Sequence, residues 1–70
     1  MNFNIVKYKN KTPQISKSVF LAEGVKIIGD VTIDENSSIW FNSVIRADVN
    51  FIKIGKKTNI QDGSIIHVSS

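Results

Sequence analysis

Cysteine is absent, and histidine, tryptophan, tyrosine, methionine and proline each occur once. Without cysteine there is neither a disulfide framework nor a zinc–thiolate site. One histidine alone does not hold zinc, which takes three or four protein ligands. No stretch approaches the roughly 20 apolar residues of a membrane-spanning helix. Met1 to Tyr8 carry too short an apolar run for a secretory signal. The expected location is the cytoplasm, where the triplets Asn10-Lys11-Thr12 and Asn36-Ser37-Ser38 have no meaning as glycosylation acceptors. Acid is scarce near the N-terminus, where Lys7, Lys9, Lys11 and Lys17 all precede Glu23. Lys53, Lys56 and Lys57 form a second basic cluster, and the net charge is +3. No nucleic-acid-binding signature accompanies this charge, so the lysines read as solvated surface. Neither nucleic acid nor a membrane is expected as a partner.

Seventy residues allow one domain. A chain of this size buries only about 60% of its unfolded surface. Small domains gain the missing stability from disulfides, a metal or oligomerisation. With the first excluded and one histidine for the second, the expected support is self-association or further chain.

What is abundant is isoleucine, at a fixed period. Stepping by six from Ile15 gives Leu21, Ile27, Ile33, Ile39 and Ile45. After a slip of three the series resumes at Ile54, Ile60 and Ile66. Ile, Val and Leu total 20 of 70 residues. Nine consecutive hits then arise by chance at about 10⁻⁵, relaxed by roughly two orders of magnitude for the choice of register and slip. Four residues after each start come Val19, Val25, Val31, Ser37, Ser43, Val49, Thr58, Ser64 and Ser70, all small or β-branched. Three residues after each start come Ser18, Gly24, Asp30, Asn36, Asn42, Asp48, Lys57 and Gly63. Most of these are turn formers that tolerate a left-handed backbone.

A six-residue unit with a turn in each repeat is a short strand, a corner and another strand. Three units close a triangular coil, and coils stack at the parallel-strand spacing of about 4.8 Å. The expected fold is all-β: a parallel β-helix of hexapeptide repeats, about three coils over residues 15–70. Residues 1–14 lie outside the repeat and read as an N-terminal strand or arm that caps the first coil, with Pro13 in the turn into it. The slip is expected within Asn50-Phe51-Ile52-Lys53, as an insertion at one edge.

The same arithmetic organises the polar residues. Eighteen plus three residues separate Arg46 from His67, so the two are expected one coil apart on one outward face, with Asp48 near the corner. Trp40 and Gln61 are expected to stack on the neighbouring face. From spacing alone, His67 reads as a surface or interface histidine, Arg46 and Asp48 as an ordinary ion pair, and Trp40 and Phe41 as packing or interface residues.

The combination is more specific than its parts. Gly29-Asp30-Val31, Ser38-Ile39-Trp40-Phe41, Val44-Ile45-Arg46-Ala47-Asp48, Ile54-Gly55 and Thr58-Asn59-Ile60-Gln61-Asp62-Gly63-Ser64, followed by His67, resemble the γ-class carbonic anhydrase family. The likeness covers about residues 13–69. It implies a left-handed β-helix assembled as a trimer, with zinc or iron held between subunits on three histidines. It implies His67 as the first metal ligand and Arg46 with Asp48 as organisers of the subunit interface beside the site. Asn59, Gln61 and Asp62 would line or support the pocket and handle the proton. A cation on three imidazoles lowers the pKa of bound water to about 7, and the hydroxide attacks carbon dioxide.

The departures also set expectations. The family's second and third histidines, its later coils and its terminal helix have no counterpart here, so the C-terminal part of the family fold is expected to be missing. Val49 follows Asp48 where some members carry an acidic loop. The expectation is an N-terminal fragment, inactive alone and binding no metal stably. A homotrimer, or a complementary C-terminal half, would be its partner. The alternative, a hexapeptide acyltransferase, calls for a later histidine base and a coenzyme A groove.

Overall fold

Every six-residue step turns a corner and returns an aliphatic residue to a common axis. In the computed structural model, described for residues 2–68, this produces a β-solenoid of about three turns. The strands are β1 (Asn4–Val6), β2 (Gln14–Ile15), β3 (Phe20–Leu21), β4 (Lys26–Ile33), β5 (Ser38–Ile39), β6 (Val44–Ile54), β7 (Asn59–Ile60) and β8 (Ile65–His67). All strand pairings are parallel. One sheet runs β1-β4-β6-β8 with β2 also on β4, and a second runs β3-β5-β7. No helix occurs among the described residues.

The axis is the isoleucine series. Ile27, Ile39 and Ile45 have no exposure and Ile33 has 1%. Leu21, Ile54 and Ile60 are also buried, and Ile15 and Ile66 pack against them at the two ends. Register stacks like on like: Ile5, Ile27, Ile45 and Ile66 pair in succession, as do Leu21, Ile39 and Ile60. Val25, Val31, Ser37 and Ser43 fill the tighter corners. The two buried serines are satisfied across coils. Ser37 Oγ donates to Gly55 O at 2.7 Å and accepts from Thr58 N at 3.1 Å. Ser43 Oγ donates to Gln61 O at 2.8 Å and accepts from Ser64 N at 3.3 Å. A buried hydroxyl without such partners would be destabilising.

Of the expected corner residues, Gly24, Asn36, Asn42, Lys57 and Gly63 have positive φ. Ser18, Asp30 and Asp48 do not. Asp30 and Asp48 instead lie inside the long strands β4 and β6, which bend without breaking. At that bend Gly29 takes φ +83, and a Cβ there would lie 2.4 Å from Ala47 O. Glycine allows both the backbone angle and the close approach of the next coil.

The slip falls earlier than its expected place. Gly29 pairs with Ala47 and Val31 with Ile52, so the register shifts between them. The three extra residues therefore lie within residues 48–51. Val49, expected to fill a corner, is 56% exposed, and Ile52 is buried in its stead beside Val31. Either residue satisfies the pattern on paper. The larger side chain takes the interior site because it removes more apolar surface from water. The expected position of Ser70 lies outside the described residues.

Residues before the repeat join the scaffold. β1 and β2 pair with the edge of β4 opposite β6. Tyr8 and Lys11 bridge antiparallel around Lys9 and Asn10, both with positive φ. Pro13 is buried.

Candidate functional site

β6 and β8 are adjacent parallel strands, and their register places Arg46 opposite His67. Each follows a core isoleucine, so strand alternation turns both side chains outward. The bulge after Ala47 displaces Asp48 from the regular path. Its carboxylate meets both neighbours: Asp48 Oδ2 is 3.1 Å from Arg46 Nε, and Asp48 Oδ1 is 3.1 Å from His67 Nε2. The same Nε2 lies 3.1 Å from Arg46 Nη2. The three side chains make a closed polar cluster spanning two coils.

The cluster is half exposed, with Asp48 its most enclosed member at 23%. Partial burial pushes the Asp48 carboxyl upward, but its own backbone N–H, the Arg46 guanidinium and the His67 ring together outweigh that. The net effect holds Asp48 below the ordinary carboxylate range. It is therefore an anion at neutral pH, tied to a cation that does not titrate.

Of the remaining sequence-derived site residues, Asn59 lies on the other sheet, and Gln61 and Asp62 lie in the turn after it. Asn59 is in β7, where its Oδ1 accepts from Ser38 Oγ at 3.3 Å. Gln61 and Asp62 follow in the exposed turn that Gly63 closes. The Gln61 backbone carbonyl accepts from Ser43 Oγ and Ser64 Oγ. The structure thus unites Arg46, Asp48 and His67. Asn59, Gln61 and Asp62 form a separate group, one corner away along the chain. Trp40, above Gln61, packs partly on the core. Its ring lies 5.0 Å from Phe20 and 6.1 Å from Phe41, and its Nε1 donates to Ser38 Oγ at 3.1 Å.

Sequence reasoning missed a groove of about 280 Å³ where the turn at Tyr8 and Lys11 faces Asp48 and Phe51. It arises because β1 stacks on β4 and brings residues outside the repeat next to the insertion.

Zinc and iron sites need several converging donors. Among the described residues no three of His, Cys, Asp or Glu are gathered to hold a metal. The one imidazole is engaged by Arg46 and Asp48. A single chain's described residues therefore do not fit a complete zinc or iron site.

Comparison with known proteins places this geometry. The family described as bacterial transferase hexapeptide (six repeats) matches residues 12–47. A carbonic anhydrase of Geobacillus kaustophilus is 58% identical over 65 residues, covering 93% of this chain and 36% of the relative. The mitochondrial gamma carbonic anhydrase 2 of Arabidopsis thaliana is 48% identical over 60 residues, 86% of this chain and 22% of the relative. A Bacillus cereus crystal structure described as an acetyltransferase superposes with a TM-score of 0.96 at 49% identity, covering 99% of this chain and 40% of that one. The chain thus spans well under half the length of these relatives. The isoleucine ladder, the parallel coils and these matches agree: the chain belongs to the hexapeptide-repeat family, in the group that includes the γ-class carbonic anhydrases.

Proposed function

We propose that this chain supplies the N-terminal coils and one imidazole of a γ-carbonic-anhydrase-like metal centre, whose other ligands come from outside the chain. The observation that carries the reading is the assembly of Arg46, Asp48 and His67 within 3.1 Å of one another on an outward face. A fold made only for stacking has no need of this cluster, because the isoleucine axis holds the coils together. His67 would be the first metal ligand. Arg46 and Asp48 would organise a subunit interface beside it, and Asn59, Gln61 and Asp62 would line the pocket from β7 and the turn that follows it. Zinc or iron would be the cofactor of the completed centre.

The partner is a trimeric assembly of this chain, or a separately supplied C-terminal segment that stacks on β7 and β8 and brings further histidines. Alone, the chain hydrates no carbon dioxide, because one imidazole does not assemble the donor set. Its place of action is the cytoplasm. The test is molar mass in solution measured together with metal content and carbon dioxide hydration. The expected result is an oligomer without stoichiometric metal or activity. Zinc retained at one equivalent through dialysis by the chain alone would refute the reading.

An acyltransferase reading has one observation in its favour, the description of the Bacillus cereus structure. It predicts saturable binding of coenzyme A, which the carbonic-anhydrase-like reading does not.

A further inference from the structure

We propose that Trp40 and Ser38 are positioning residues for Asn59, joined to it in a one-way hydrogen-bond relay that fixes the Asn59 amide with its oxygen toward Ser38 and its NH2 outward. The three side chains share one outward face. Ser38 begins β5. Trp40 follows that strand with its backbone N–H still bonded to Ile60 O at 2.8 Å, so alternation turns both side chains the same way. Register sets Ser38 opposite Asn59 on β7. Trp40 Nε1 lies 3.1 Å from Ser38 Oγ, and Ser38 Oγ lies 3.3 Å from Asn59 Oδ1.

The chemistry of the three groups gives the relay its direction. An indole nitrogen only donates. Ser38 Oγ therefore accepts from Trp40, and its own proton remains to be given. A hydroxyl that accepts one hydrogen bond is a stronger donor for the next. The acceptor within reach is the Asn59 oxygen. Reversing the amide would point Nδ2 at Ser38 Oγ, which would then accept twice. The hydroxyl proton would lose its acceptor on a half-buried side chain, which is destabilising. In the stated direction the group left to water is the Asn59 NH2, on an exposed residue. The second bond is long, so the alignment rests on strand register as well as on bond strength.

Packing holds the start of the relay. The Trp40 ring lies 5.0 Å from Phe20 and 6.1 Å from Phe41, and it rests partly on the core. Phenylalanine would also serve such packing; the N–H over Ser38 is what tryptophan adds. The consequence is a surface of fixed polarity. As a pocket wall, Asn59 offers N–H donors to an acceptor oxygen and turns its own oxygen away. This deepens the proposed function and rests there on Asn59 lining the pocket, whereas the relay itself needs neither metal nor a second chain.

The test is the orientation of the Asn59 amide in the whole chain, labelled with ¹³C and ¹⁵N. The Asn59 NH2 signals are identified by their loss in Asn59→Asp. The expected native result is one orientation, with no strong nuclear Overhauser contact between these NH2 protons and the β protons of Ser38. Strong contacts in the native chain would overturn the relay. Trp40→Phe should make the contacts appear, because the hydroxyl is no longer directed and the amide samples both orientations. Ring-current changes alone move shifts but create no such contact. Contacts unchanged from native in a folded Trp40→Phe chain would overturn the role of Trp40. Where that variant does not fold, Ser38→Ala and Ser38→Thr carry the test. Alanine should release the amide, and threonine, which keeps the hydroxyl, should retain the native orientation. Equal behaviour of the two would overturn the proposal. A chain with the expected orientation whose completed assembly hydrates no carbon dioxide fails the proposed function and not the relay.

Discussion

The same corner is crossed twice, one coil apart, in two ways. In β4 the chain passes from Gly29 to Val31 through Asp30 alone, with Gly29 at φ +83. In β6 it passes from Ala47 to Ile52 through four residues. The upper crossing is economical and leaves an apolar outward column, Val6 over Ile28. The lower crossing is longer and continues that column as Arg46 over His67. The isoleucine axis runs unbroken through both levels, as Ile27 over Ile45 and Ile33 over Ile54. The comparison shows where a solenoid can accept chemistry: at a corner, outside the axis, where extra residues re-aim a side chain without disturbing the isoleucine stack.

The largest effect on this comparison comes from the part the two crossings share. Ile45→Ala removes a fully buried side chain between Ile27 and Ile66. It is expected to destabilise the fold by about 2–5 kcal/mol in urea denaturation. A loss under about 1 kcal/mol would mean that the axis is not what holds the coils.

The upper crossing is tested next by paired glycine substitutions. Gly29→Ala meets both a positive φ and the Ala47 carbonyl, whereas Gly63→Ala meets a positive φ and open space. The second is expected to cost about 1–2 kcal/mol and the first distinctly more, because steric overlap adds to the backbone strain. Equal losses would show that the close approach at Gly29 relaxes freely.

The lower crossing is tested by deletion of Val49, Asn50 and Phe51, which restores the spacing of the coil above. Val49 and Phe51 are 56% and 64% exposed, so stability should change by about 1 kcal/mol or less. The His67 ring signals should nonetheless move to those of an unpartnered imidazole, as Asp48 returns to the path that Asp30 follows. Unchanged signals would separate the cluster from the insertion.

The smallest effect is electrostatic. The folded pKa of Asp48 lies below its ordinary value, so its contribution to stability is present above about pH 4. That contribution is lost as pH falls through the lowered folded value. Asp48→Asn should flatten this part of an acid denaturation curve and leave the neutral region little changed. A variant curve that parallels the native one throughout would remove Asp48 from the account.

The isoleucine series was legible because a period of six selects a single inward direction, and every position from Leu21 to Ile60 is buried accordingly. The pairing of Arg46 with His67 followed from the same count, since neighbouring coils lie in register. Two features were less legible. The place of the slip was ambiguous because Val49 and Ile52 both suit a corner, and only packing against Val31 chose between them. The role of Asp48 was half visible: its spacing from Arg46 suggested an ion pair, whereas its reach to His67 depends on a bulge that no period describes. Asn59, Gln61 and Asp62 are exposed, but residue type alone did not separate them from the cluster of Arg46, Asp48 and His67.

The sequence by itself determined the architecture, because a repeated aliphatic residue can be buried only by stacking identical turns. It also determined which side chains face solvent, except at the insertion, where Val49 lies outside and Ile52 inside. Tertiary structure decided what those side chains do. The contact of one histidine nitrogen with both a guanidinium and a carboxylate depends on side chains from two coils meeting at a bend. Their distances follow from how three extra residues pack, a matter of local geometry that a linear period does not contain.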